Sequence, residues 1–280
     1  MFVSWLLVIS TSVVALQKPP QRIVSGMPSI TEMLFALELD DRIVGVTTNC
    51  NYPPQALEKE KVGGFFLNLE KVVSLKPDLI VMLEDAQKRD IQRFKDFGLS
   101  VYTVNPNRVI EVMETIVELG EASGTKEKAE EVVEEMKKRI LSIEARFGVM
   151  RNRDFQSRAL SDKKKVLVMV GYKPLIVVGG ENFIDDIIRY AGAKNVAAQA
   201  KAAYPQYSFE KLLEENPEYI IIPEGVVGRK EIEEDGRWQG LEAVKKDRIL
   251  FINADILSRP GPRVVEAIEE IAEFIHEEKT

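Results

Sequence analysis

The 280-residue sequence predicts an α/β fold of two pseudo-equivalent lobes with mostly parallel sheets, bridged by one long α-helix. Three observations predict it. Short apolar runs alternate with helical patterns, the signature of strand–helix–strand units and a parallel sheet. Between two such blocks, one amphipathic helix outruns all its neighbours. Finally, "NLEKVVSLKPDLIV" (68–81) returns 140 positions later as "SFEKLLEENPEYII" (208–221). Each copy has a polar cap, a Glu-Lys pair, an apolar helical turn, a proline, an acidic residue and an apolar strand.

The chain opens on an uncharged apolar run, 2–16. It is too short to span a bilayer comfortably but suits a signal peptide, with small residues at Val13, Val14 and Ala15 for cleavage. Residues 1–16 therefore read as a leader on an exported protein, periplasmic or otherwise extracytoplasmic. No Lys or Arg precedes the run, so an uncleaved anchor is the alternative, and no cysteine lies near Leu16 to carry a lipid.

In the first lobe, expected over 17–124, residues 22–26 read as a strand and 29–39 as a helix opened by a Ser29/Glu32 capping box. A strand at 41–47, a helix from 69, a strand at 78–83, a helix at 87–97 ended by Gly98, a strand at 100–104 and a helix from 108 continue the alternation. The bridge is expected over 125–150. Ala129, Val132, Val133, Met136, Ile140, Ile143 and Phe147 follow three- and four-residue steps, which makes a helix about 35 Å long at 1.5 Å per residue.

The basic stretch 151–165 reads as an exposed connection into the second lobe, expected over 151–280. There the alternation resumes: strand 165–172, helix 183–192 closed by Gly192, helix 210–215, strands 218–223 and 248–252, and a final helix from 263. One copy of the repeat per lobe suggests equivalent halves facing each other across a cleft, with ligand beyond the carboxyl ends of the strands. A duplication that only enlarges one core is the alternative.

Composition excludes several functions. A net charge of −7 with both signs interspersed argues against nucleic-acid binding. His276, the single histidine, lies on a charged terminal helix and reads as a solvated surface residue. That leaves little room for His-dependent catalysis or for a site that strips and holds a bare Mn or Zn ion. G-x-S-x-G, Walker A and G-x-G-x-x-G motifs are all absent, and Gly63-Gly64 and Gly179-Gly180 read as tight turns. Cys50, the only thiol, has no partner for an internal disulfide. The loops after the strands instead carry rings, Tyr52, Phe65, Phe66, Tyr172, Tyr204 and Tyr207, suited to a broad, flat, partly apolar ligand.

The segments "RIVSGMPSITEMLFALELDDRIVGVTTNCNYPPQA", "VGGFFLNLEKVVSLKPDLIV", "VGYKPLIVVGGENFIDDIIRYAGAKNVAA", "YPQYSFEKLLEENPEYIII" and "RWQGLEAVKKDRILFINADILSRPGPRVVEAIEEI" together resemble the solute-binding proteins of ABC importers for cobalamin, ferric siderophores and haem. The resemblance implies a monomer with no catalytic residue and no resident cofactor or metal. Its cleft would hold a metal chelate for the importer's membrane subunits, a corrinoid first, with ferric siderophore or haem next. Tyr52, Phe65, Tyr172, Tyr204, Asp255 and Arg259 are the expected ligand-binding residues, the last two as a polar cleft loop or as partners that stabilise their own turn. The several Trp rings of cobalamin-binding members are missing: Trp5 falls in the leader, only Trp238 remains, and Asn49 stands where a tyrosine is expected. The resemblance also makes Glu70 and Glu210 the two points of transporter docking. A two-domain transferase working in the same cleft is the competing reading.

Overall fold

The computed structural model describes residues 18–148 and 163–277. The apolar leader and most of the basic 151–165 stretch lie outside the described residues. The first lobe runs β1 (Ile23–Ser25), α1 (Pro28–Ala36), β2 (Ile43–Gly45), α2 (Leu69–Ser74), β3 (Leu79–Leu83), α3 (Glu84–Asp96), β4 (Val101–Val104) and α4 (Val109–Ser123). Its strands lie in the order β2-β1-β3-β4, all parallel. The bridge is α5 (Lys126–Phe147), set off from α4 by Gly124 at φ 75° and closed by Gly148 at φ 64°, the left-handed geometry glycine adopts without strain.

The second lobe runs β5 (Lys165–Gly171), β6 (Ile176–Val177), α6 (Phe183–Tyr190), β7 (Lys194–Asn195), α7 (Phe209–Glu215), β8 (Tyr219–Pro223), α8 (Arg229–Glu234), α9 (Glu242–Lys245), β9 (Ile249–Ile252), α10 (Ala254–Ser258) and α11 (Val264–His276). β5, β7, β8 and β9 pair in parallel, with β7 and β8 both on β5 and β9 beyond β8; β6 alone adds antiparallel. The parallel order β7-β5-β8-β9 therefore copies β2-β1-β3-β4, which makes the lobes pseudo-equivalent.

Successive residues of a strand point to opposite faces, and here both faces are buried. Ile23, Leu79 and Val81 of the first sheet and Val166, Val168 and Ile221 of the second point inward into one continuous core. That core also takes Ile116 of α4, Met136 and Ile140 of α5, Ile187 of α6 and Ile268 of α11. Their neighbours point outward: Val24, Ile80 and Met82 pack around Phe94, while Leu167, Met169, Ile220 and Ile222 pack around Trp238. The lobes thus share the helical layer between them. Polar ties cross the same layer: Val109 N donates to Asp186 Oδ2 at 2.8 Å, and Arg139 on α5 forks onto Glu269 on α11.

Two local expectations are corrected. Ser29 and Glu32 form no capping box: α1 begins at Pro28 with Met27 as a cap that makes no side-chain bond, and Glu32 is drawn to the other lobe. His276 is half-buried rather than solvated. Its ring stacks on Phe147 at the end of the bridge, 5.3 Å between centroids, and its Nε2 lies 3.0 Å from the Ala191 carbonyl. Burial lowers its pKa below the ordinary histidine value.

Candidate functional site

In the first sheet the chain leaves β1 to pair on one side with β2 and on the other with β3, so the loops beyond β1 and β3 diverge and open a crevice. Met27, Pro28 and Ser29 after β1, Thr47, Thr48, Asn49 and Asn51 after β2, Gly64 and Phe65, and Leu83 at the end of β3 line one wall of a pocket of about 630 Å³. Asp255, Ser258, Arg259 and Pro260, after β9, close it from the second lobe. The volume is that of an ordinary small-molecule site.

An interlobe clamp forms its base. Glu32 on α1 is 2% exposed in its side chain, and the guanidinium groups of Arg259 and Arg263, each 13% exposed, converge on it from the second lobe. Arg259 Nη1 donates to Glu32 Oε1 at 3.0 Å, and Arg263 donates through Nε to Oε2 at 2.9 Å and through Nη2 to Oε1 at 2.7 Å. Arg259 also donates to Asn51 Oδ1 at 2.7 Å and the Asn49 carbonyl at 3.3 Å, and pairs with Asp255 at 2.7 Å. Asn51 Nδ2 returns a bond to Asp255 Oδ2 at 3.0 Å. Burial works against the Arg263 charge, but its hydrogen bonds to Glu32 and the carboxylate charge outweigh that and raise its pKa above the usual arginine value. A buried charge survives only with such partners.

The Phe65 loop is pinned from below. Gln87 donates to the Gly26 and Phe65 carbonyls at 3.0 and 3.4 Å and accepts from Leu83 N at 3.0 Å, and Asp90 accepts from Leu67 N at 2.8 Å. Gly63, at φ 133°, has no room for a Cβ, which would meet the Phe66 carbonyl at 2.5 Å. Phe65 and Phe66 meet edge to face and both are exposed.

Of the residues singled out from the sequence, Phe65, Asp255 and Arg259 come together at this pocket. Tyr52 stands beside the clamp, its ring 3.8 Å beneath the Arg263 guanidinium. Tyr204 is exposed on a loop held against the second lobe by Gly179 N to the Ala203 carbonyl and Val177 N to the Pro205 carbonyl. Tyr172 lines a separate pocket of about 250 Å³ with Trp238 and Arg237. Its hydroxyl shares its one proton between the Glu231 carbonyl at 3.0 Å and Asp235 Oδ2 at 3.1 Å, and burial, then Asp235, push its pKa up. Trp238 is fully buried. Glu70 and Glu210 are exposed at the starts of α2 and α7. Sequence reading missed Glu32, Asn51, Gln87, Asp90 and Arg263 as site-building residues; the one signal was a lone carboxylate inside the apolar run of α1.

Known proteins share this architecture. The chain is 35% identical over 268 residues to the ABC transporter substrate-binding lipoprotein YvrC of Bacillus subtilis (strain 168), covering 94% of this chain and 82% of that one. Among solved structures, a possible iron-binding (periplasmic solute-binding) protein from Staphylococcus epidermidis ATCC 12228 matches with a TM-score of 0.79 at 29% identity, covering 93% of this chain and 100% of that one. The periplasmic vitamin B12 binding protein BtuF of Vibrio cholerae matches with a TM-score of 0.76 at 27% identity, covering 92% and 97%. With the periplasmic binding protein model matching residues 23–256, the chain belongs to that family of ABC-transporter solute-binding proteins.

Proposed function

We propose that the protein takes up a large metal chelate outside the cytoplasm and delivers it, as a monomer and without chemical change, to the membrane subunits of an ABC importer. A corrinoid is the first choice, with a ferric siderophore or haem next. The pocket between the lobes carries this reading: an exposed aromatic ring at Phe65 faces a rim of hydroxyls, amides and the Asp255–Arg259 pair. Such a surface offers a flat face to a macrocycle and hydrogen-bond partners to its amide or carboxylate edge. Similarity to a vitamin B12 binding protein favours the corrinoid. Tyr52 and Tyr204, both exposed, are free to add ring surface to the chelate. Glu70 and Glu210 dock against cations of the importer, one on each lobe. No resident cofactor is needed, because the chelate is cargo.

Native mass spectrometry of the purified protein, followed by calorimetric titration with cobalamin, haemin and ferric siderophores, tests the reading. One-to-one binding of cobalamin with a visible absorption band supports it. Failure of all three chelates to bind refutes it, and turnover of the bound molecule would favour an enzyme.

A further inference from the structure

The repeat extends from sequence into exposure. Residues 66–76 and 206–216 have the same degree of burial position by position, although only a few letters agree. Asn68 Oδ1 accepts from Lys71 N and Ser208 Oγ from Lys211 N, both at 3.1 Å. Val72 and Leu212 are fully buried and anchor their helices to the lobes. The next residues, Val73 and Leu213, are each 43% exposed.

On a helix, positions three apart are neighbours on one face, so Val73 lies beside Glu70 and Leu213 beside Glu210. Neither carboxylate has an ion-pair partner among the described residues. The adjacent lysines are engaged elsewhere: Lys71 pairs with Glu60 at 3.5 Å and donates to the Lys61 carbonyl at 3.1 Å, while Lys211 stands over the Tyr207 ring. A single exposed aliphatic residue is ordinary. Leu213 touches Gly240 of its own lobe through one methyl, yet the same exposure at the same position of both lobes, each time one turn from a carboxylate without an ion-pair partner among the described residues, calls for a common cause.

We propose that Val73 and Leu213 are the apolar halves of two matched docking knobs. The partner is the importer's membrane assembly, which presents two equivalent recesses, each an aliphatic hollow beside an arginine or lysine. The inference rests on the transport reading above. In this division of labour the carboxylates speed encounter and fix orientation, and the aliphatic side chains, desolvated only on contact, set how long the complex lasts.

The test is surface plasmon resonance of the full chain against the ABC importer of the same organism, reconstituted in nanodiscs, at low and moderate salt. Val73→Ser and Leu213→Ser should each speed dissociation roughly five- to tenfold, and together on the order of fiftyfold, with association rates and salt dependence unchanged. Glu70→Arg with Glu210→Arg should instead slow association and flatten its salt dependence. Leu141→Ser, at an exposed position on α5, is the control and should dissociate like the native protein. Dissociation of both serine variants at the control rate, or an effect confined to one lobe, overturns the proposal while leaving the transport reading intact. Failure of the native protein to dock overturns both.

Discussion

Glutamine in place of Glu32 keeps the shape of the side chain and removes the charge on which two arginines converge. Three hydrogen bonds end on that carboxylate. Arg259 keeps Asp255 and Asn51 after the change, so the damage falls on Arg263, whose Nε, 2.9 Å from Oε2, then faces an amide donor instead of an acceptor. Removing one partner of a buried ion pair costs about 3–5 kcal/mol. The lower end applies because one amide oxygen still accepts, so the expected loss is about 3 kcal/mol, or roughly 6–12 °C in Tm for a protein of this size. Urea unfolding followed by circular dichroism should register the loss as one cooperative transition, because the sheets of both lobes share a core. A loss below about 1 kcal/mol, the worth of an exposed pair, would refute the reasoning, as would two separated transitions.

Two further substitution sets separate binding from packing. Phe65→Ala and Tyr204→Ala should weaken chelate affinity by about 1–3 kcal/mol with little change in Tm, since both rings are exposed. Tyr172→Phe should do the reverse, losing about 1 kcal/mol of stability with its shared hydroxyl bond and leaving affinity within twofold; calorimetry and thermal melts check both, and an affinity loss at Tyr172 would move the cleft toward it. His276 carries a pH dependence: its folded-state pKa is lowered by burial, so the unfolded chain binds the proton first as pH falls below about 6.5. Stability present at neutral pH is therefore lost on acidification. The difference in unfolding free energy between the native protein and His276→Gln should shrink between about pH 7.5 and 5, and a constant difference would refute the assignment.

The strands were legible because burial on both faces writes them as unbroken apolar runs: Leu79–Leu83 and Tyr219–Pro223 could hardly be anything else between a proline and a polar loop. β6 and β7, two residues each, are too short to carry a period, and so are α8 to α10 at four to six residues. The clamp was illegible for another reason. Glu32 and Arg263 lie 231 positions apart, and nothing local distinguishes a carboxylate that caps its own helix from one that reaches another lobe. Tyr172 shows the same limit: a ring after a strand end can turn either way, and its position beside Trp238, with its hydroxyl at Glu231 and Asp235, is set by residues 59 and 63 positions downstream.

The common core also bears on how this chain could be taken apart. A fragment ending at Gly148 would carry α4 and α5 with their inward faces bare, and a fragment beginning at Lys163 would carry α11 without the helix it packs on. Neither half is a self-contained module, so lobes exchanged between relatives would meet a mismatched seam. Co-produced halves would have strong reason to find each other, because each supplies the missing wall of the other's interior. The protein is thus suited to conversion into a split reporter, whose two pieces regain solubility and the binding pocket only on reassembly.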